Sequence, residues 1–308
     1  MPISHAQGEQ SYSGTYIPEI WSTNMLVKFY AGTCLAEIAN TEWEGEIKKH
    51  GDKVHIRTTP DITIRDYVKG QKLLNEQPAP STVELLIDKG KYYAWALNTV
   101  DKHQADVEFI DNWATETSNK MKIGIETNVF ANIYSDADSS NAGATAGAIS
   151  AGYNLGVSGT PLAITKTNVL KLITDVNVVL SEQNVPEDDN RYIIIPAWMG
   201  GLIKESDLKN ASITGDGTSV LRTGRIGMID NTTIYRSNLL ATTTDGADTV
   251  YNVIAGHKSA LTFASQVVED RVIDNQDDFG KLHQGLQVYG YKVVKAESLV
   301  HCYVKNGS

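Results

Sequence analysis

Between about Glu44 and Leu97 the chain alternates apolar and polar residues like a strand, yet it is too thin in apolar residues to enclose a core of its own. Val54, Ile56 and Thr58 alternate with His55 and Arg57, and Ile62 and Ile64 alternate with Thr63 and Arg65, the period of a half-buried strand. Pro60-Asp61 punctuates the two runs, and after the breaker cluster Pro78-Ala79-Pro80 a return strand runs from Thr82 to Asp88. The whole reads as a long ribbon projecting from a body. Two-stranded ribbons are marginal alone, so its apolar edge needs a partner, and the simplest is another copy of this chain. Lys91 to Leu97, alternating aromatic and small residues, suits a strand re-entering the body.

A long helical stretch follows from about Asp101, a plausible N-cap, to Tyr134. Ala105, Phe109, Trp113, Glu116, Lys120, Ile123, Thr127 and Phe130 form its stripe, broadened by Ile110, Met121, Ile125 and Ile133. At 1.5 Å per residue it would run roughly 50 Å and act as a spine. Ser135 to Pro161 is rich in Ala, Gly, Ser and Asn and reads as a loop with little core of its own. A second amphipathic helix is expected over Lys166–Asn184, with Val169, Leu172, Ile173, Val176, Val179 and Leu180 on one side and Pro186 beyond its end. Arg191 to Pro196 reads as a buried strand, Trp198 to Lys209 as a short helix, and Asp207 to Thr223 as an exposed loop. Arg225–Asp230 and Thr232–Asn238 read as strands joined by a turn at Asp230-Asn231, and the last fifty residues alternate strongly. Near the N-terminus, residues 1–20 read as an extended arm, and Ile20, Met25, Phe29, Leu35 and Ile38 suggest a helix weakened by Gly32.

With 308 residues, 41% hydrophobic and 21% charged, the chain can bury a large core and is not disordered in composition; two interleaved domains are expected. A formal charge of −10 disfavours an extensive grip on nucleic-acid phosphate, and Lys48-Lys49-His50 and Lys89-Gly90-Lys91 are too short to form such a footprint. No apolar run is long enough to span a membrane, and the N-terminus lacks the pattern of a secretory signal. Cys34 and Cys302 read as buried free thiols that suit a reducing cytoplasm.

Catalytic and ligand motifs are missing: no G-x-S-x-G elbow, H-E-x-x-H, P-loop or dinucleotide fingerprint occurs. Gly143–Gly147 lacks the Lys and Ser/Thr that would hold phosphate and magnesium. Asp136 to Asn141 opens like a calcium loop, but Gly147 stands where the closing acid belongs. His103 and Asp106 share a helix face as a metal pair or a solvated pair, and Asp274, Asp277 and Asp278 read as an acidic loop that needs no ligand. No catalytic, cofactor or metal site is therefore assigned, and no cofactor is expected.

The order of elements resembles one family, the major capsid proteins of tailed bacteriophages with the Hong Kong 97-like fold. The resemblance rests on Trp43–Ile47 with Gly51–Ile56, Lys102–Asp106, Arg191–Pro196, Gly224–Ile229 with Arg236–Asn238, Ala260–Gln266 and Gly285–Gly290, in that order along nearly the whole chain. It implies an α+β fold with an N-terminal arm (1–42), an extended ribbon loop (46–98), a peripheral domain around the spine helix (99–164 and 256–308) and an axial domain (165–255). It also implies a self-assembling subunit, not an enzyme, that tiles as pentamers and hexamers into an icosahedral head around double-stranded DNA, touching that DNA weakly and no membrane. Such heads are built in the host bacterial cytoplasm. A scaffold would be a separate protein, since no long charged extension precedes the arm; portal and decoration proteins are further candidate partners. On this reading Val54, Ile56, Ile62, Ile64, Tyr67, Lys69 and Lys72 of the ribbon are the candidate intersubunit contacts. Asp207, Gly215, Asp216, Gly217 and Thr218 belong to a loop near the capsomer centre. Lys53, Lys69 and Lys72 could reach a neighbour, but no motif identifies an Asn partner and no crosslink is assigned. An encapsulin-type nanocompartment shell is the nearest alternative, and a β-rich glycan-binding surface module is the alternative of another class.

Overall fold

Five consecutive buried residues, Arg191–Ile195, form strand β5, and a strand buried on both faces must lie inside a sheet covered by other elements. The structure, a computed structural model, describes residues 33–42, 53–57, 60, 62–78, 82–98, 109–206, 227–276 and 279–307. Around β5 the sheet has the order β4 (Leu162–Ile164), β12 (Leu299–Asn306), β9 (Asp248–His257), β5, β7 (Thr232–Arg236), β6 (Met228–Ile229), with β8 (Thr242–Asp245) also on β9. The β12–β4 and β5–β7 pairs are parallel and the others antiparallel.

Helix Val169–Glu182 packs against β12 and against helix Ala197–Glu205, and the six apolar positions read from its sequence are all buried. Between β6 and β7 the chain reverses at Asp230 and Asn231, with φ of 51° and 56°. Two left-handed central residues make the two-residue hairpin that matches strand twist, and short polar side chains tolerate them. The Ser135–Pro161 segment does more than its composition suggests. Ala146 and Leu155 are fully buried, Leu155 accepts a bond from Tyr303 N at 2.8 Å, and the buried Asn141 amide donates to the carbonyls of Glu297 and Leu299. Small residues let this stretch lie flat along β12, so it contributes core without regular structure. Asp138 caps a local turn by accepting from Ser140 N, which gives the carboxylate a structural duty.

A second sheet has the order β10 (Leu261–Asp274), β11 (Gly280–Val293), β3 (Lys89–Asn98), with a register shift between Val267 and Glu269. In chain order the helices are α1 (Leu35–Ile38), α2 (Phe109–Phe130), α3 (Val169–Glu182) and α4 (Ala197–Glu205). The described spine, α2, spans 22 residues, about 33 Å at the rise of an α-helix, and passes into a 3₁₀ turn at Ile133–Asp136. The expected cap at Asp101 and the His103–Asp106 pair lie outside the described residues. Two tyrosines of β11 tie the spine to this sheet: Tyr289 donates to Asn128 Oδ1 at 3.2 Å, and Tyr291 donates to Asn128 O at 3.3 Å.

The ribbon base is an antiparallel pair, β1 (Lys53–Arg57) with β2 (Thr82–Leu86). Ile56 and Leu85 bury against Ala264 in a small satellite core. The strand expected at Ile62–Arg65 does not form: residues 62–68 belong to no ladder, and Ile62 and Ile64 are 62% and 95% exposed. No strand among the described residues pairs with them, whereas Ile56 has Val83 opposite it in β2.

Gly290 in β11 crosses the ribbon base so closely that an added Cβ would collide with the Leu86 carbonyl. The Gly amid alternating apolar residues thus marks a close backbone approach. Gly290→Ala should cost about 1–3 kcal/mol of stability, the usual cost of overpacking, read as a lower urea midpoint; an unchanged midpoint would show that the two strands separate freely.

Candidate intersubunit surface

Beyond β1 the ribbon turns at Lys69-Gly70, where Gly70 adopts φ +90° and Gln71 N donates to Val68 O at 2.9 Å. Its two limbs are joined by side chains instead of a backbone ladder. Glu76 accepts from Thr63 N at 2.7 Å and pairs with Arg65 at 3.4 Å, Arg65 also reaches Leu74 O at 3.4 Å, and Val68 N donates to Gln71 Oε1 at 3.2 Å. Every described residue from 62 to 78 is exposed. Six of them are large and apolar: Ile62, Ile64, Tyr67, Val68, Leu73 and Leu74. So many exposed large apolar side chains on one loop make it a candidate contact surface.

The structure separates the candidate contacts read from the sequence. Ile62, Ile64, Tyr67, Lys69 and Lys72 lie together on this loop and are exposed. Ile56 is only 4% exposed and Val54 half-buried, both packed in the chain's own satellite core, so they hold the ribbon's root. Asp207, Gly215, Asp216, Gly217 and Thr218 lie outside the described residues. Sequence reasoning missed Val68, Leu73 and Leu74, whose signal was their position around the Gly70 turn. It also missed Tyr92 and Phe279 on the second sheet and its hairpin tip, exposed by 79% and 86%.

Behind the ribbon, α2, the segment 33–41 and strands β3, β10 and β11 enclose a groove of about 730 Å³. At its edge Glu126, 1% exposed on the spine, accepts hydrogen bonds from Cys34 N at 2.8 Å and Leu35 N at 3.0 Å, and lies 3.6 Å from Cys34 Sγ. Burial pushes its carboxyl above the usual range against the pull of those donors. Of the helix expected across Ile20–Ile38, residues 20–32 lie outside the described residues, and the rest is helical only in part. A continuous helix would send both N–H groups to carbonyls four residues back, but here they are spent on Glu126, and only Leu35–Ile38 is helical among the described residues. Both thiols are buried; desolvation raises Cys34 and pushes Cys302 up to about 12, which keeps them protonated and inert.

One cluster has a Ser–His–Asp composition. His257 meets Asp188 Oδ1 at 3.0 Å through Nε2 and Ser259 Oγ at 2.8 Å through Nδ1. Nδ1 also accepts the Ser259 backbone N–H at 3.2 Å, so the ring locks the β9–β10 turn, and none of the three residues lines the groove. Among the described residues no cluster of three or more His, Cys, Asp or Glu could hold a metal ion, and no helix is long and apolar enough to cross a membrane.

Replacing Glu126 separates its two duties. Glu126→Ala strands two buried N–H groups and should cost about 2–4 kcal/mol, while Glu126→Gln keeps an acceptor without the charge. Because the folded pKa is raised, the stabilising preference is for the protonated form; it is full below the unfolded carboxylate pKa and lost as pH rises through the folded value. Urea midpoints should therefore fall over that window in the parent and stay flatter in Glu126→Gln; equal slopes would refute the role of the carboxylate.

Comparison with known proteins gives one consistent answer. Residues 27–300 match a family model described as phage capsid protein. Among solved structures, one from Mycobacterium phage Che8 is similar with a TM-score of 0.76 at 24% identity, covering 94% of this chain and 98% of that one. The capsid of cyanophage P-SCSP1u gives 0.67 at 16% identity, covering 94% of each chain. The capsid of a native GTA particle gives 0.66 at 10% identity over 96% and 97%. No curated protein matches the chain.

Proposed function

The chain belongs to the phage capsid protein family, and from that premise we propose that it is the major shell subunit of an icosahedral head enclosing double-stranded DNA. The observation that carries the assembly mechanism is the exposed apolar strip of residues 62–78 on a ribbon rooted in its own core. Ile62, Ile64, Tyr67, Lys69 and Lys72, with Val68, Leu73 and Leu74, contact a neighbouring copy. Copies so joined make heterologous contacts that close into rings of five and six.

The parts follow the family: arm 1–42, ribbon loop 46–98, peripheral domain 99–164 and 256–308, axial domain 165–255, with 207–218 at the capsomer centre. On this division the last two domains share a sheet, since β9 crosses residue 255 and pairs with β12. The subunit works by association and carries out no turnover. Its net charge of −10 supports a wall that holds DNA loosely. Two buried unpaired thiols suit assembly in the host cytoplasm, with a separate scaffold, a portal and decoration proteins as further partners.

Three measurements test this reading. Electron microscopy of the protein, alone and co-expressed with candidate scaffolds, should show closed shells or rings of five and six; only small particles in every combination would refute it, and shells filled with a redox enzyme would indicate a nanocompartment. Trypsin should cut at Lys69 and Lys72 in free subunits at least tenfold faster than in assembled ones. Ile64→Asp with Tyr67→Asp should abolish assembly while leaving the urea midpoint of the free subunit unchanged, because neither side chain packs in its own chain; normal assembly would remove the ribbon from the interface.

A further inference from the structure

We propose that the groove between α2 and the three-stranded sheet receives an amphipathic helix of another protein, one that carries Lys or Arg beside its apolar stripe. The groove encloses about 730 Å³, the size of a built binding site. Along α2 its wall is Ala114, Thr117, Ser118, Met121 and Ile125, which share one helix face over about 17 Å. That length suits an elongated guest. Ala114 and Ser118 are exposed, and their short side chains let a second helix come close. Opposite stand the half-buried Phe263 and the exposed Val272 and Leu286, apolar surface still open to a partner. The floor is a sheet face: β11 is already bonded to β10 on one side and β3 on the other. An extended guest laid there would leave its own N–H and C=O groups unpaired, whereas a helix brings its backbone bonds with it.

Charge selects the guest. Glu269 and Asp270 are exposed at the rim, and among the described residues Lys122 is the one Lys or Arg in the lining. Their present partners leave them available to a cation: Asp270 accepts from the neutral Tyr93 hydroxyl at 2.8 Å, and Glu269 meets Arg271 at 3.2 Å in an exposed pair that water screens. The net charge of −10 adds attraction for a basic guest at longer range. Trp95, stacked on His283 at 4.0 Å, also lines the groove, and its indole N–H is buried with no acceptor among the described residues. A buried donor left unmet is costly, and an acceptor on the guest would complete it. This site belongs to the single subunit and stands whether or not the ribbon joins shells.

Two fluorescent peptides test the proposal on the full chain. Each is a helix of about 14 residues, long enough to span the groove, with Leu at every third or fourth position and Ala and Gln between. One carries two Lys beside the stripe and the other two Glu. In polarisation titrations the Lys peptide should bind at least tenfold more tightly than the Glu peptide. Ser118→Trp, which fills the groove from an exposed position on α2, should weaken that binding at least tenfold. Glu269→Lys should weaken the Lys peptide and strengthen the Glu peptide, each at least threefold, an exchange that a damaged fold would not produce. Absence of binding by both peptides, equal affinities, or affinities indifferent to both substitutions would overturn the proposal. Loss of self-association in Ser118→Trp without peptide, seen by sedimentation, would assign the groove to a second copy and overturn it as well.

Discussion

A buried carboxylate without a cationic partner among the described residues holds the N-terminal part of this molecule in place. Glu126 gives up hydration and receives two backbone N–H groups in return, from Cys34 and Leu35. With those fixed, Leu35 and Ile38 fall into the main core, and Asn40 reaches the edge of β10, where it donates to Leu261 O at 2.8 Å and accepts from Phe263 N at 3.0 Å. One side chain on the spine therefore sets where the chain enters, which edge of the second sheet is covered and where the groove wall stands. The desolvation that raises its pKa is opposed by these two N–H groups and by the side chains of Cys34 and Ser237.

Away from that point three buried polar groups, the Trp95 and Trp198 indole N–H groups and the Tyr192 hydroxyl, have no partner among the described residues. His301, on β12 between two buried neighbours, has its pKa pushed down to about 4 by burial and stays neutral, with Nε2 2.9 Å from Asn252 Oδ1. Cys302 beside it is equally charge-averse. Both groups therefore stay uncharged at neutral pH. Unfinished business is concentrated in the ribbon loop and the outer face of the second sheet, where apolar residues face water in a single chain. Rigid body and unsatisfied periphery are complementary features of a subunit: the first keeps the angle between contacts constant, and the second supplies the free energy of association.

How much of this was legible in the sequence depended on how local the deciding interaction is. Helix α3 and strand β5 were readable because their burial patterns follow from their own periodicity, and the β6–β7 turn because Asp230-Asn231 carries its backbone conformation locally. Ile56 and Ile64 sit in the same alternating pattern, yet one is buried and the other bare. The difference lies in Leu85 and Ala264, far along the chain. Alternation states that two faces differ; it does not state which molecule covers the apolar one. The break in the expected Ile20–Ile38 helix was hidden for the same reason, its cause lying 92 residues away in Glu126. The family emerged from the order of many weak signals, whereas which apolar residues of the ribbon are bare and which are buried required the coordinates.

The distribution of charge gives the ribbon a direction. Its loop carries Arg65, Lys69 and Lys72 against Asp66 and Glu76, in a chain whose net charge is −10. A slightly basic projection on an acidic body is repelled less by a second copy than body is by body, so the ribbon is the part that approaches first. At an ionic strength near 0.15 M such attraction reaches only about 8 Å, which is enough to orient an encounter but not to hold it. On the proposed assembly, holding would fall to the exposed Ile62, Ile64, Tyr67, Val68, Leu73 and Leu74, whose burial would be insensitive to that screening. On that assembly, orientation by charge and retention by apolar area are carried by one loop, whose limbs in the free chain are joined by side-chain bonds and not by a backbone ladder.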